Sequence, residues 1–257
     1  MSSEKISSSE SPVDDEKYTI AAPAVIDDAA LTVLEDPAAE DAPIDPIIAD
    51  KLRRKIDRHI LPLMMTLYFI QFLDKTTLNS SSILGIKKTA HLDTSHNWLS
   101  TIFYLSYLVF EYPQNLALQR FPVAKWMSIN IFVWSIALGA QAACHSFIGL
   151  FFCRLILGVC EGSITAGFLI VTSFFWTHKE QSVRVGWWFL MNGSAQIVAG
   201  LLSFGVLHFP QNALAPWQWY MIITGALTLI LAGCFWFMFP DNPQTAWFFS
   251  HEEKILA

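Results

Sequence analysis

The sequence predicts an all-α polytopic membrane protein with six transmembrane helices. Three observations carry that reading. Mean hydropathy is +0.41. Only 15% of the residues are charged, where soluble domains carry roughly 25%. Six apolar stretches each approach the length of about 20 residues that crosses a bilayer. A soluble enzyme does not have this profile. Neither a metal triad, nor a nucleophile paired with a base, nor a glycine-rich phosphate loop is present, so no catalytic function is expected. A channel would need a polar stripe repeated along several helices, and the charges here are isolated. No cofactor, metal or nucleic-acid partner is expected.

Residues 1–50 form the first segment. Thirteen acids against two bases leave it at −11, and the remaining residues sum to +5. A stretch so acidic and so rich in Ser, Pro and Ala cannot bury a core and is expected to be a disordered tail. No basic region followed by a short apolar run marks a secretory signal.

The membrane domain is expected over 51–240. Lys51-Leu52-Arg53-Arg54-Lys55-Ile56-Asp57-Arg58-His59 is a basic collar of the kind held on the cytoplasmic side. The spans follow near 60–84, 97–118, 126–144, 147–172, 185–207 and 217–239. Short connections predict that sequential helices pack as antiparallel neighbours. With the collar inside, ten Lys and Arg fall in inner segments and only Lys87 and Lys88 in outer ones. That bias places both ends in the cytoplasm. Trp98, Trp126, Trp176, Trp217, Trp219 and Trp236 sit near span ends, as interfacial aromatics do.

The first span is unusual. An apolar run ends in Gln71-Phe72-Leu73-Asp74-Lys75-Thr76-Thr77-Leu78-Asn79 before turning apolar again. A charge near the bilayer centre costs about 2.5–3.5 kcal/mol on insertion scales. Helices that carry one usually face it into a polar pathway. Five ionisable residues lie within spans: Asp74, Lys75, Glu111, Arg154 and Glu161. At about 1.5 Å per residue, Asp74 and Arg154 fall within about one turn in depth, so an ion pair between them is one expectation. Glu111 and Glu161 lie deeper and form a second, acidic level. Arg154 and Glu161, seven apart, share a face. Lys75 points about 100° away from Asp74 and is left for another partner. These residues suit a cavity with a cation for an anionic substrate and carboxylates that take protons. The structural alternative is a set of charge pairs that lock helices together.

The fifth span carries a stripe of small residues, Gly193 and Gly200 among them, which suits close helix packing or a sliding contact. Cys144, Cys153, Cys160 and Cys234 have neither paired nor ligand spacing and read as small apolar residues. Pro240-Asp241-Asn242-Pro243 stops the last span. Residues 241–257 open a cytoplasmic loop, with a helix start predicted at Ser250-His251-Glu252-Glu253-Lys254.

Several stretches then resemble the major facilitator superfamily, specifically its allantoate permease group of fungal organic-anion symporters. They are Phe72 to Asn79, Tyr107-Leu108-Val109-Phe110-Glu111-Tyr112-Pro113, Gln119-Arg120-Phe121-Pro122, Arg154 to Glu161, Glu180-Gln181-Ser182-Val183-Arg184, and Pro240 to Pro243. The resemblance implies one six-helix half of a twelve-helix fold, alternating access, and proton-coupled uptake of a small organic anion at the plasma membrane. It places Asp74 and Arg154 facing the cavity. With Glu161, Glu111, Lys75 and Asn79 they make up the expected substrate and proton pathway, and Arg120, Glu180 and Arg184 are the expected gate and loop residues. The usual acid of the loop between spans two and three is missing from Gln119 to Lys125. Six spans supply half a cavity, so a second half or a homodimer is the implied partner. The alternative is a half that does not transport and acts as an interacting or regulatory membrane protein.

Overall fold

The computed structural model describes residues 46–89, 96–209, 214–250 and 254. Within them every regular element is a helix. Residues 1–45 and the predicted helix start at 251–253 lie outside the described residues.

Helix α1 runs Pro46–Lys75. Proline suits a first turn, where a missing N–H breaks no bond. The last residues of the predicted tail, 46–50, are thus helical. Ile56, Ile60, Met64, Leu67, Gln71 and Asp74 recur every three or four residues and are buried, so one face of α1 looks inward.

The predicted first span is not one continuous helix. The Thr76 N–H is shared between the Phe72 and Leu73 carbonyls, at 3.3 and 3.2 Å. The Thr76 and Thr77 hydroxyls donate to the Leu73 and Asp74 carbonyls, at 2.7 and 2.6 Å. Side chains that bond to the backbone this way loosen the regular ladder. Helix α2, Thr77–Ile83, resumes after this joint. Gly85, at φ +97°, then takes a left-handed turn open chiefly to glycine and leads into α3, Ile86–Thr89.

Helices α4 (His96–Arg120), α5 (Val123–Ala143), α6 (Phe147–Phe175), α7 (His178–Leu207) and α8 (Pro216–Met238) follow. By length and composition α5, α6, α7 and α8 are apolar enough to cross a membrane. Helices α1 and α4 are long but more polar. The first carries the collar, the second Glu111, Gln114, Asn115, Gln119 and Arg120.

Sequential helices are mostly not neighbours. The closest pairs are α4 with α6, α5 with α8 and α1 with α7, and only α5 with α6 joins consecutive elements extensively. Small residues explain two of these choices. A Cβ on Gly158 would collide with the Phe103 carbonyl and the Ser106 side chain, so α4 and α6 touch backbone to backbone there. A Cβ on Gly225 would lie 3.1 Å from the Gly139 nitrogen, which sets the α5–α8 crossing. The small residues of α7 divide: Gly186, Gly193 and Gly200 face open space, while Ala195 and Ala199 are buried against Leu73, Phe69 and Phe72 of α1.

Two large apolar cores result, beside a small cluster of Leu73, Ala195 and Ala199 between α1 and α7. One gathers Met64, Met127, Trp134, Phe168, Trp188 and Phe235. The other, at the end away from the collar, gathers Ile86, Leu99, Leu150, Val206, Trp217 and Tyr220. Asp74, Thr77, Arg154, Thr224 and Thr228 occupy the level between them.

Candidate functional site

Asp74 closes the inward face of α1 and is 1% exposed. Its Oδ2 accepts a hydrogen bond from Thr228 Oγ1 of α8 at 2.9 Å. Arg154, equally buried on α6, donates from Nη2 to Thr77 Oγ1 at 3.1 Å. Asp74 and Arg154 therefore do not make the direct ion pair expected. Each is met by a threonine hydroxyl instead, Asp74 from α8 and Arg154 from the joint after α1. Asp74 Oδ1 and Arg154 Nε are buried with no hydrogen-bond partner among the described residues. Both Glu161 oxygens likewise lack a hydrogen-bond partner among the described residues, and a buried polar atom left unmet is costly.

Lys75 finds the other partner expected of it. Its Nζ lies 3.6 Å from Glu161 Oε2 and 5.2 Å from the centre of the Tyr107 ring on α4. Lys75 thus draws α1, α4 and α6 together around a fully buried carboxylate. The pair of glutamates resolves unequally. Gly162 packs on the backbone of Glu111, which brings the two to a common depth, but only Glu161 turns inward. Glu111 is partly exposed, because α4 buries Gln114 one turn on. Gln114 donates to Asn130 and to the Val159 carbonyl and accepts from Trp126 Nε1, tying α4, α5 and α6. Asn79 is exposed and does not join the buried level.

At the collar end, Glu180 and Arg184 both turn to α1. Arg53 Nη1 lies 3.0 Å from Glu180 Oε1, and Asp50 sits on its other side at 2.8 Å. The Glu180 hydrogen bond and the charge of Asp50 push Arg53 above its ordinary pKa range. Arg184 grips Asp57 with two nitrogens, at 3.2 and 2.7 Å, and Trp176 Nε1 donates to the same carboxylate at 2.8 Å. Arg120 is exposed and stays outside this network. The adjacent corner is held by Asp241, whose Oδ1 accepts from the Ala124 N–H at 2.8 Å.

Sequence reasoning did not single out Thr77, Thr228, Gln114 or Asp57 as partners. A signal existed for one of them: Thr224 and Thr228 stand four apart, on one face of an otherwise apolar helix.

The sequence profile of the Major Facilitator Superfamily matches residues 64–257. The chain belongs to the major facilitator superfamily. An uncharacterized transporter of Schizosaccharomyces pombe is 38% identical over 231 residues, covering 90% of this chain and 43% of the relative. A thiamine pathway transporter of Saccharomyces cerevisiae is 36% identical over 81% of this chain and 40% of its own. The allantoate permease of the same yeast is 32% identical over 90% of this chain and 43% of its own. This major facilitator chain therefore spans about two fifths of the length of these relatives. A bacterial homolog of the human lysosomal transporter Spinster, solved inward-facing and unoccupied, superposes with a TM-score of 0.60 at 17% identity. That match covers 75% of this chain and 44% of the other, and shows the shared fold. Superfamily membership and the apolar helices make the chain an integral membrane protein.

Proposed function

We propose that this chain is the six-helix N-terminal half of a secondary transporter that moves a small organic anion of the allantoate, ureidosuccinate or carboxylate type together with protons. The observation that carries the reading is the buried charged level of Asp74, Lys75, Arg154 and Glu161, held between two apolar cores of a membrane domain. Charges at that depth usually mark a solute or ion pathway. Arg154 and Lys75 supply the attraction for an anion, and Asp74 and Glu161 exchange protons. Glu111 flanks the level on the α4 side, and Asn79 on the outer side of the joint. Glu180 and Arg184 brace the inner gate through α1, and Arg120 marks the inner end of α4. In this reading α1, with α2, and α4 complete the six spans, both ends face the cytoplasm, and the plasma membrane is the site of action. Transporters of this type bind substrate between two repeats, so a second half completes the pathway in this reading.

The outward glycines of α7 favour a second reading, in which the chain covers that face with a partner and modulates it without transporting. Uptake of radiolabelled allantoate and related carboxylates, compared at acid and neutral pH in cells expressing the chain, separates the two. Saturable uptake that rises at acid pH and is lost in Asp74→Asn and Arg154→Ala supports transport. Membrane-inserted protein without uptake, copurifying with an intact relative, supports modulation.

A further inference from the structure

On the outer side of α1, the exposed residues Arg54, Arg58, Pro62 and Thr66 follow each other at intervals of four. That spacing lays them along one stripe of the helix. The stripe borders a cavity of about 260 Å³ walled by Ile60, Leu63, Met238, Pro240 and Phe248, with Arg58 at its collar end. The far wall is well fixed. The His59 ring stacks on Phe248 at 4.8 Å, and its Nδ1 lies 2.8 Å from the Lys55 carbonyl. Trp247 Nε1 donates to the Met238 carbonyl at 3.0 Å while 59% of the residue stays exposed. Pro62 has no N–H, so the Arg58 carbonyl lacks its usual helical donor at the mouth of the cavity.

Charge is available there. Arg54 and Arg58 form neither an ion pair nor a hydrogen bond with any described residue, whereas the nearby acids among the described residues are occupied. Asp50 holds Arg53, Asp57 holds Arg184, and Asp241 caps α5. The cavity thus presents the uncommitted Arg58 guanidinium, with Arg54 one turn nearer the collar, then a polar rim, then an apolar wall, in the order of an amphiphile entering from the membrane surface. Asp74 is about 12 Å further along the helix than Thr66, so this is not the buried charged level.

We infer that this cleft is a binding site for an anionic phospholipid of the leaflet at the collar end, with its phosphate on Arg58 and an acyl chain along Leu63 and Met238. Basic pockets between membrane helices recognise such headgroups. The inference rests on the collar end facing the cytoplasm, as proposed above, and its test needs no transport. The full chain, purified in detergent, is incubated with equal amounts of phosphatidylserine and phosphatidylcholine, and retained lipid is read by native mass spectrometry. The expected result is about fivefold preference for phosphatidylserine, the effect of about one cation at a charged surface. Arg58→Gln brings the two lipids to parity, Arg58→Lys keeps most of the preference, and Leu63→Trp, which fills the cavity, lowers retention of both. Parity in the unaltered chain, or a preference that survives both Arg58→Gln and Leu63→Trp, overturns the inference. Displacement of phosphatidylserine by an equal concentration of glycerol phosphate assigns the site to a soluble phosphate and also overturns it. Each variant is first checked for helicity and a single gel-filtration peak, and Arg58 is exposed enough for its replacements to fold.

Discussion

Thr228 sets the direction of the Asp74 carboxylate. Its single hydroxyl lies 2.9 Å from Asp74 Oδ2 and 2.9 Å from the Thr224 carbonyl, so one proton has two acceptors within reach. Thr228→Val keeps the shape and removes the donor. It should cost about 1–3 kcal/mol, because a buried acceptor is left unmet. A lowered Tm in detergent, restored by Thr228→Ser, is the expected result. Arg154→Lys keeps the charge but loses the fork that reaches Thr77, and should reduce uptake by at least tenfold in a two-half assembly while leaving the amount of inserted protein unchanged. The charged members of the site were legible in the sequence because Asp74, Lys75, Arg154 and Glu161 interrupt apolar runs. Their threonine partners were not. A threonine in a membrane helix bonds to its own backbone, as Thr224 and Thr228 both do, and hydropathy passes over it. Which acid meets which base depended on the turn at Thr76, a local feature that spacing along an ideal helix does not contain.

Helix crossings rest on single atoms. Gly158 admits the Phe103 carbonyl, so Gly158→Ala should force α4 and α6 apart and destabilise the fold by about 1–3 kcal/mol. Gly193 faces open space on α7, and Gly193→Ala should leave stability unchanged or raise it by about 0.5–1 kcal/mol through helix propensity. Thermal unfolding of the two variants side by side checks both statements. The contrast also separates two kinds of small residue that look alike in sequence. Gly158 lies among conspicuous neighbours, with Arg154 one turn before it, yet nothing in its own position tells whether a partner helix arrives. The stripe on α7 predicted a contact, and Ala195 and Ala199 make it against Leu73 of α1 while Gly186, Gly193 and Gly200 turn to open space.

At the scale of the molecule, α1 and α7 are clasped at the collar end by Arg184 on Asp57 and Arg53 on Glu180. The groups are partly exposed, so Asp57→Asn should cost only about 1–2 kcal/mol. Its signature is local: faster amide exchange over the first turns of α7, with the α5–α8 pair unaffected. The helical class of the molecule and the apolar stretches followed from hydropathy and charge alone, as did the basic collar. The pairing of helices did not. Hydropathy says how deep a residue sits and charge says which end is which, but neither says which helix stands beside which. Short loops suggested neighbours in order, while the glycine approaches at Gly158 and Gly225 selected partners further along the chain.

The Asp241 cap gives the interleaved order a clock. The α5 amide it satisfies precedes it by 117 residues. At translation speeds of about 5–20 residues per second, the start of α5 leaves the ribosome roughly ten seconds before its cap exists. Throughout that interval the corner depends on lipid headgroups, water or an insertase to occupy the amide. The bundle can close only when the last helix of this segment has been delivered.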